Sequence, residues 1–156
     1  MFLLTVFSYK TNWAKYDTKA SMIQENVLNL IGNTPLLKLR KASEETGCNI
    51  FGKAEFLNPG QSVKDRAALS IIETAIKTGE LNPKGTIVEG TSGNTGMGLA
   101  LAAIRKGYKM IVTMPDKMSS EKIDILRAIG VKVIITPTNV TPDDINSYYS
   151  VAKSLQ

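Results

Sequence analysis

Two short segments place reactive or polar side chains where helices begin. In Asn58-Pro59-Gly60-Gln61-Ser62-Val63-Lys64-Asp65-Arg66 a lysine falls in the first turn of an expected helix. The positive end of a helix disfavours an ammonium there, and amine nucleophiles of the Schiff-base kind need the uncharged form. The plainer alternative is a solvated Lys64 followed by a surface pair of Asp65 and Arg66. The second segment, Thr91-Ser92-Gly93-Asn94-Thr95-Gly96, gathers three hydroxyls, one carboxamide and several peptide N–H groups, with glycines that allow close backbone approach. That set suits an anion, specifically a carboxylate; the alternative is that Ser92 and Thr95 only cap the helix. Gly93, Gly96 and Gly98 read G-x-x-G-x-G, the wrong order for a dinucleotide fingerprint, and no Gly-Lys-Ser/Thr phosphate loop occurs.

The elements that must carry these loops fit one domain. The chain has 156 residues, 43% of them apolar and 21% charged, enough for a core and too apolar for disorder. Its net charge of +5 is scattered along the chain without a basic stripe, so no nucleic-acid partner is expected. There is no histidine and only Cys48, which excludes a disulfide framework, Cys/His zinc sites and histidine triads; no metal is expected. Apolar runs such as 131–135 are strand-sized, so no membrane association is expected. The apolar opening 1–7 lacks the flanks of a secretory signal, which makes cytoplasmic the default location.

Residues 1–24 show neither helical nor strand period and read as a poorly ordered leader. A short helix is expected at 25–30, strands at 36–39 and 50–56, and a helix over 63–77 with Ser62 as N-cap and Gly79 as its stop. Strand, helix and strand then alternate: 86–89, 94–106, 109–114, a helix from Ser119 or Ser120 to 129, and 132–136. Such spacing predicts an α/β fold, a parallel sheet flanked by helices. Thr141-Pro142-Asp143-Asp144 reads as the start of a last helix running over 142–155. In open parallel sheets ligands sit beyond the carboxyl ends of the strands, where the Thr91–Gly96 loop belongs.

Ser62-Val63-Lys64-Asp65-Arg66, followed about 25 residues later by Thr91-Ser92-Gly93-Asn94-Thr95-Gly96, resembles the fold-type II pyridoxal-phosphate enzymes, the cysteine synthase and cystathionine β-synthase group. The likeness runs over about 31–153, starting with Ile31-Gly32-Asn33-Thr34-Pro35-Leu36, and the stretch 114–128 is closer to cystathionine β-synthases. The resemblance implies the N-terminal half of a three-layer αβα fold. Residues 25–49 would contribute to the larger domain and 50–156 would form the small α/β domain, truncated in its last helix. It implies that Lys64 links covalently to pyridoxal phosphate and later takes the substrate Cα proton. Asn94 would bond the cofactor's ring hydroxyl, and Thr91, Ser92, Asn94 and Thr95 would hold the amino acid. The reaction implied is β-replacement on serine or an activated serine by a thiol or sulfide, in a homodimer when complete.

The resemblance also has limits. Gln61 stands where the group often has a small residue. The family's phosphate loop and the hydroxyl facing the pyridine nitrogen belong to the second half of its fold, so the fragment alone is expected to be inactive. Without histidine no haem is expected. The expectation is therefore a cystathionine β-synthase-like reaction of serine with homocysteine. The alternatives are a cysteine synthase using O-acetylserine and sulfide, or a non-catalytic amino-acid-binding or assembly module.

Overall fold

The computed structural model describes residues 24–91 and 93–156; the expected leader, apart from Gln24, lies outside them, as does Ser92. A 3-10 turn at Val27–Leu30 leads into β1 (Leu36–Lys38), α1 (Arg40–Thr46) and β2 (Phe51–Lys53). A second 3-10 turn, Glu55–Leu57, precedes α2 (Lys64–Thr78). Then follow β3 (Thr86–Gly90), α3 (Asn94–Arg105), β4 (Lys109–Pro115), α4 (Ser120–Ala128), β5 (Lys132–Thr136) and α5 (Tyr148–Ser154).

Strands β3, β4 and β5 form a three-stranded parallel sheet in that order, with Ile87 opposite Met110 and Val112 opposite Val133. The α/β architecture expected from the alternating pattern is present. Central β4 is covered on both faces: Met110, Val112 and Met114 enter the main core, while Thr113 Oγ1 on the other face donates to Tyr148 O of α5 at 2.6 Å. Gly90 lets α5 close on the sheet, since a Cβ there would stand 3.2 Å from Ala152 Cβ. On the core side lies α3, whose buried Ala100, Ala102 and Ala103 allow close packing all round, with Ala68 and Ile72 of α2 behind it. Helix α2 ends as expected at Gly79, with a left-handed φ of 80°. Among the described residues no helix is long and apolar enough to cross a membrane.

Strands β1 and β2 stand apart as an antiparallel pair, Leu37 opposite Gly52, and the expected boundary at 49/50 runs between them. Phe51, Leu36 and Leu37 are exposed, so the alternation in 50–56 does not mark a half-buried strand. The Ala54 N–H makes the last bond of this pairing, to Pro35 O, and the strand ends there because the chain coils at Glu55–Leu57.

Three local readings need correction. Helix α1 was not expected; Arg40–Glu44 and Lys41–Glu45 pairs at i,i+4 line one face, and Gly47 ends it in the left-handed region. The last helix begins at Tyr148, six residues later than expected from Pro142. Asp144 Oδ1 accepts the Asn146 N–H, and Ser147 Oγ caps the Ser150 N–H, so a turn wins over 142–147 and Ser147 starts the helix. Ser62 also differs from expectation, whereas Ser119 stands at the N-cap of α4 as one of the two expected positions. The N-cap of α2 is Val63, although Ser62 Oγ accepts the Lys64 N–H, and Ser119 makes no side-chain cap bond.

A partly buried polar hub ties the Gly32–Pro35 turn to the loop before α2. Arg66 Nε and Nη2 each reach a Glu55 carboxylate oxygen at 2.9 Å, and Nη2 also donates to Gly32 O and Thr34 Oγ1. Asn58 Nδ2 donates to Glu55 and to Ser62 O, while its Oδ1 accepts the Gly32 N–H at 2.8 Å. The Arg66 hydrogen bond, opposed by burial and helped by Thr34 and Asn58, holds the Glu55 carboxyl down at about 2 from an ordinary 4.5. A depressed acid contributes stability above its unfolded value and loses it as pH falls through the folded one. Thermal melting between pH 5 and pH 2 should therefore show a falling limb that Glu55→Gln flattens; an unchanged limb in the variant would place the acid sensitivity elsewhere.

Candidate active site

Lys64 is the first residue of α2 and Asn94 the first of α3, both exposed. What sets the two helix starts side by side is Gly98. A Cβ built there would lie 3.1 Å from Lys64 O, 3.1 Å from Ala68 Cβ and 3.2 Å from Asp65 Cα, so the backbones meet where only hydrogen fits. Asn94 lies about one turn before that contact, about 6 Å along the helix axis. It faces the loop ahead of α2 across a cleft of about 280 Å³ lined by Pro59, Gly60, Gln61, Asn94, Met97, Lys122 and Ile125. Lys64 does not line this cleft, but its loop forms one wall.

Thr91 follows β3 and is buried, its N–H bonded to Thr113 O at 3.0 Å. Its Oγ1 accepts the Gly93 N–H at 3.2 Å, which leaves the hydroxyl proton free to donate. Gly93 is extended and Thr95 half-buried. The hydroxyl-and-amide loop thus stands at the carboxyl end of β3 and opens α3, where anions bind.

Residues 27–156 match the family model described as pyridoxal-phosphate dependent enzyme. The chain belongs to this family. Cystathionine beta-synthase of Mus musculus is 50% identical over 141 residues, covering 89% of this chain and 25% of that protein. Cysteine synthase 1 of Neurospora crassa is 54% identical over 120 residues, 77% of this chain and 32% of that protein. Among solved structures, the O-acetylserine dependent cystathionine beta-synthase from Helicobacter pylori shares 40% identity at a TM-score of 0.75, covering 86% of this chain and 44% of that one. The chain thus spans a quarter to a third of the length of these two curated relatives. Its structural neighbours are fold-type II enzymes, and the family uses pyridoxal phosphate.

The residues present suit the aldehyde and ring-hydroxyl end of that cofactor. An exposed amine opens α2 and an exposed carboxamide opens α3, and the cleft at Asn94 has Lys122 but no carboxylate among its described lining residues. The plainer alternative, a surface pair of Asp65 and Arg66, does not form. Asp65 is buried, and Arg66 turns to Glu55 instead. Sequence reasoning also missed Glu55 and Asn58 as organisers of the loop, since their partners lie up to 26 residues away. Glu89, half-buried near the end of β3, has its carboxyl pushed up by burial and was likewise unflagged.

Gly96 fits closely under Thr91: a Cβ there would come within 2.3 Å of Thr91 Cγ2. Gly96→Ala should destabilise the fold by about 1 to 2 kcal/mol, the overpacking cost less the gain in helix propensity. Thr91→Ser, which removes that methyl, should recover most of the loss in the double variant. Urea denaturation of all four chains reads this cycle; strictly additive losses would show that the methyl is not the obstacle.

Proposed function

We propose that the chain carries the amine and amino-acid-binding elements of a pyridoxal-phosphate enzyme that performs β-replacement on serine or an activated serine. Homocysteine is the second substrate, as in cystathionine β-synthases. The observation that carries this reading is the Gly98 contact, which brings the Lys64 and Asn94 helix starts together at one end of the molecule.

When bound, pyridoxal phosphate supplies an electron sink for charge at the amino acid's Cα. The chain's own residues have separate tasks around it. Lys64 provides the amine that tethers the cofactor and, once released, takes the Cα proton; its backbone is held by the α2–α3 contact and by Ser62 Oγ. Asn94 holds the ring hydroxyl. Thr91, with its hydroxyl proton free, joins Ser92, Thr95 and the peptide N–H groups of the α3 start in binding the substrate carboxylate. Residues so placed would orient the Cα–H bond toward the lysine, which lowers the entropic part of the barrier to proton transfer.

The second reading is a cysteine synthase acting on O-acetylserine and sulfide, favoured by the 54% identity to cysteine synthase 1 of Neurospora crassa. Assays of the full-length protein with each substrate pair separate the two. Serine with homocysteine should give cystathionine as the faster reaction, and faster turnover of O-acetylserine with sulfide would replace the first reading by the second. For the site itself, the full-length protein is treated with cofactor, reduced with borohydride and mapped by peptide mass spectrometry. The pyridoxyl mark should sit on Lys64 and vanish in Lys64→Ala. A mark of equal yield on another lysine in that variant would sink the assignment.

A further inference from the structure

Asp65, beside Lys64 at the start of α2, is 0% exposed. Its Oδ2 accepts the Gly60 N–H. Its Oδ1 has no hydrogen-bond partner, alone in this among the buried side-chain polar atoms of the described residues. The carboxyl lies flat against the loop, for a Cβ on Gly60 would stand 2.4 Å from Oδ1. Among the described residues no cation pairs with it: Arg66 is committed to Glu55, and Lys64 is exposed. Burial pushes the Asp65 carboxyl up, the Gly60 N–H pulls it back, and the charge of Glu55 adds to the rise.

For folding alone this is a poor residue. A buried acceptor left unpaired costs free energy that an apolar side chain would not, and the favourable end of α2 offsets only part of that. Groups that break a local rule in this way mark places where function sets the choice. What the carboxyl holds is the segment Pro59–Gln61, in which Gln61 adopts a left-handed φ of 59°. The same three residues form one wall of the cleft at Asn94.

We propose that Asp65 is a positioning residue whose buried carboxyl clamps the Gly60 N–H, so that the Pro59–Gln61 wall stands fixed against Asn94 at a cost to folding stability. The inference rests on Lys64 and Asn94 being the cofactor residues, but the clamp itself belongs to the ligand-free chain. Asparagine at position 65 keeps an acceptor oxygen for Gly60, whereas alanine removes it and relieves the unpaired atom. A structural role predicts loss of stability on truncation; a positioning role predicts loss of binding without it.

The test compares Asp65→Ala and Asp65→Asn in the full-length protein by amide hydrogen exchange at Gly60, thermal melting and titration with pyridoxal phosphate. Asp65→Ala should speed Gly60 exchange by roughly tenfold or more and weaken cofactor binding by about tenfold, with a melting temperature unchanged or raised. Asp65→Asn should restore both exchange and binding to near the native values. Unchanged Gly60 exchange or unchanged binding in the alanine variant would overturn the proposal. So would a fall in melting temperature in step with lost binding, or an asparagine variant that behaves like alanine. Should the native protein take no cofactor at Lys64, the cofactor reading falls, while the exchange and melting results still decide the clamp.

Discussion

The guanidinium of Arg66 forks onto both oxygens of Glu55 and reaches on to Gly32 and Thr34, so three separated stretches of chain meet on one side chain. Asn58 closes the same hub from the other side by bonding Gly32, Glu55 and Ser62. Because Arg66 sits two residues after Lys64, whatever holds its backbone also fixes the turn of helix that presents the lysine. A bidentate, charge-assisted pair is suited to this, since it restrains orientation as well as distance. The loop Asn58–Ser62 is thereby held at both ends by Asn58, which bonds Ser62 O, and at its middle by Asp65 on Gly60, and the Asn94 cleft inherits its shape from that loop.

The hub places α2, and small residues transmit the placement to α3. Gly98 against Lys64 and Asp65, with Ala68 beside it, brings the two helices closer than larger side chains would allow. Alanines along α3 then press it onto β4, and the sheet delivers Thr91 at the end of β3. Both candidate loops emerge at the same end because parallel strands send their carboxyl ends in one direction, where helix starts offer unpaired N–H groups.

The strands of the parallel sheet and helices α2 to α4 were legible in the sequence, since each has a hydrophobic period and most have a glycine stop that depend only on near neighbours. Lys64, Asn94 and Thr91 were legible as candidates because helix starts are local features. The rest depended on distance or on competition. The Arg66–Glu55 pair joins residues eleven apart through a turn that no period announces, and Asp65 looked like a surface charge because burial of a lone carboxylate runs against its type. Pro142 carried a valid helix-start signal, yet Asp144 and Ser147 formed side-chain bonds to the backbone that moved the start to Tyr148. Helix α1 carries its sequence signal in its spaced basic and acidic pairs, since the segment has little apolar patterning.

The central claim is that the hub and the α2–α3 contact hold Lys64 and Asn94 as two arms of one cofactor site. A crystal structure of the full-length protein grown with pyridoxal phosphate tests it most directly. The account predicts continuous density from Lys64 Nζ into the cofactor, Asn94 within hydrogen-bond distance of the ring hydroxyl, and Arg66 still forked onto Glu55. Cofactor joined to a different lysine, or Asn94 turned away from the ring with the Asn58–Ser62 loop rebuilt, would contradict it.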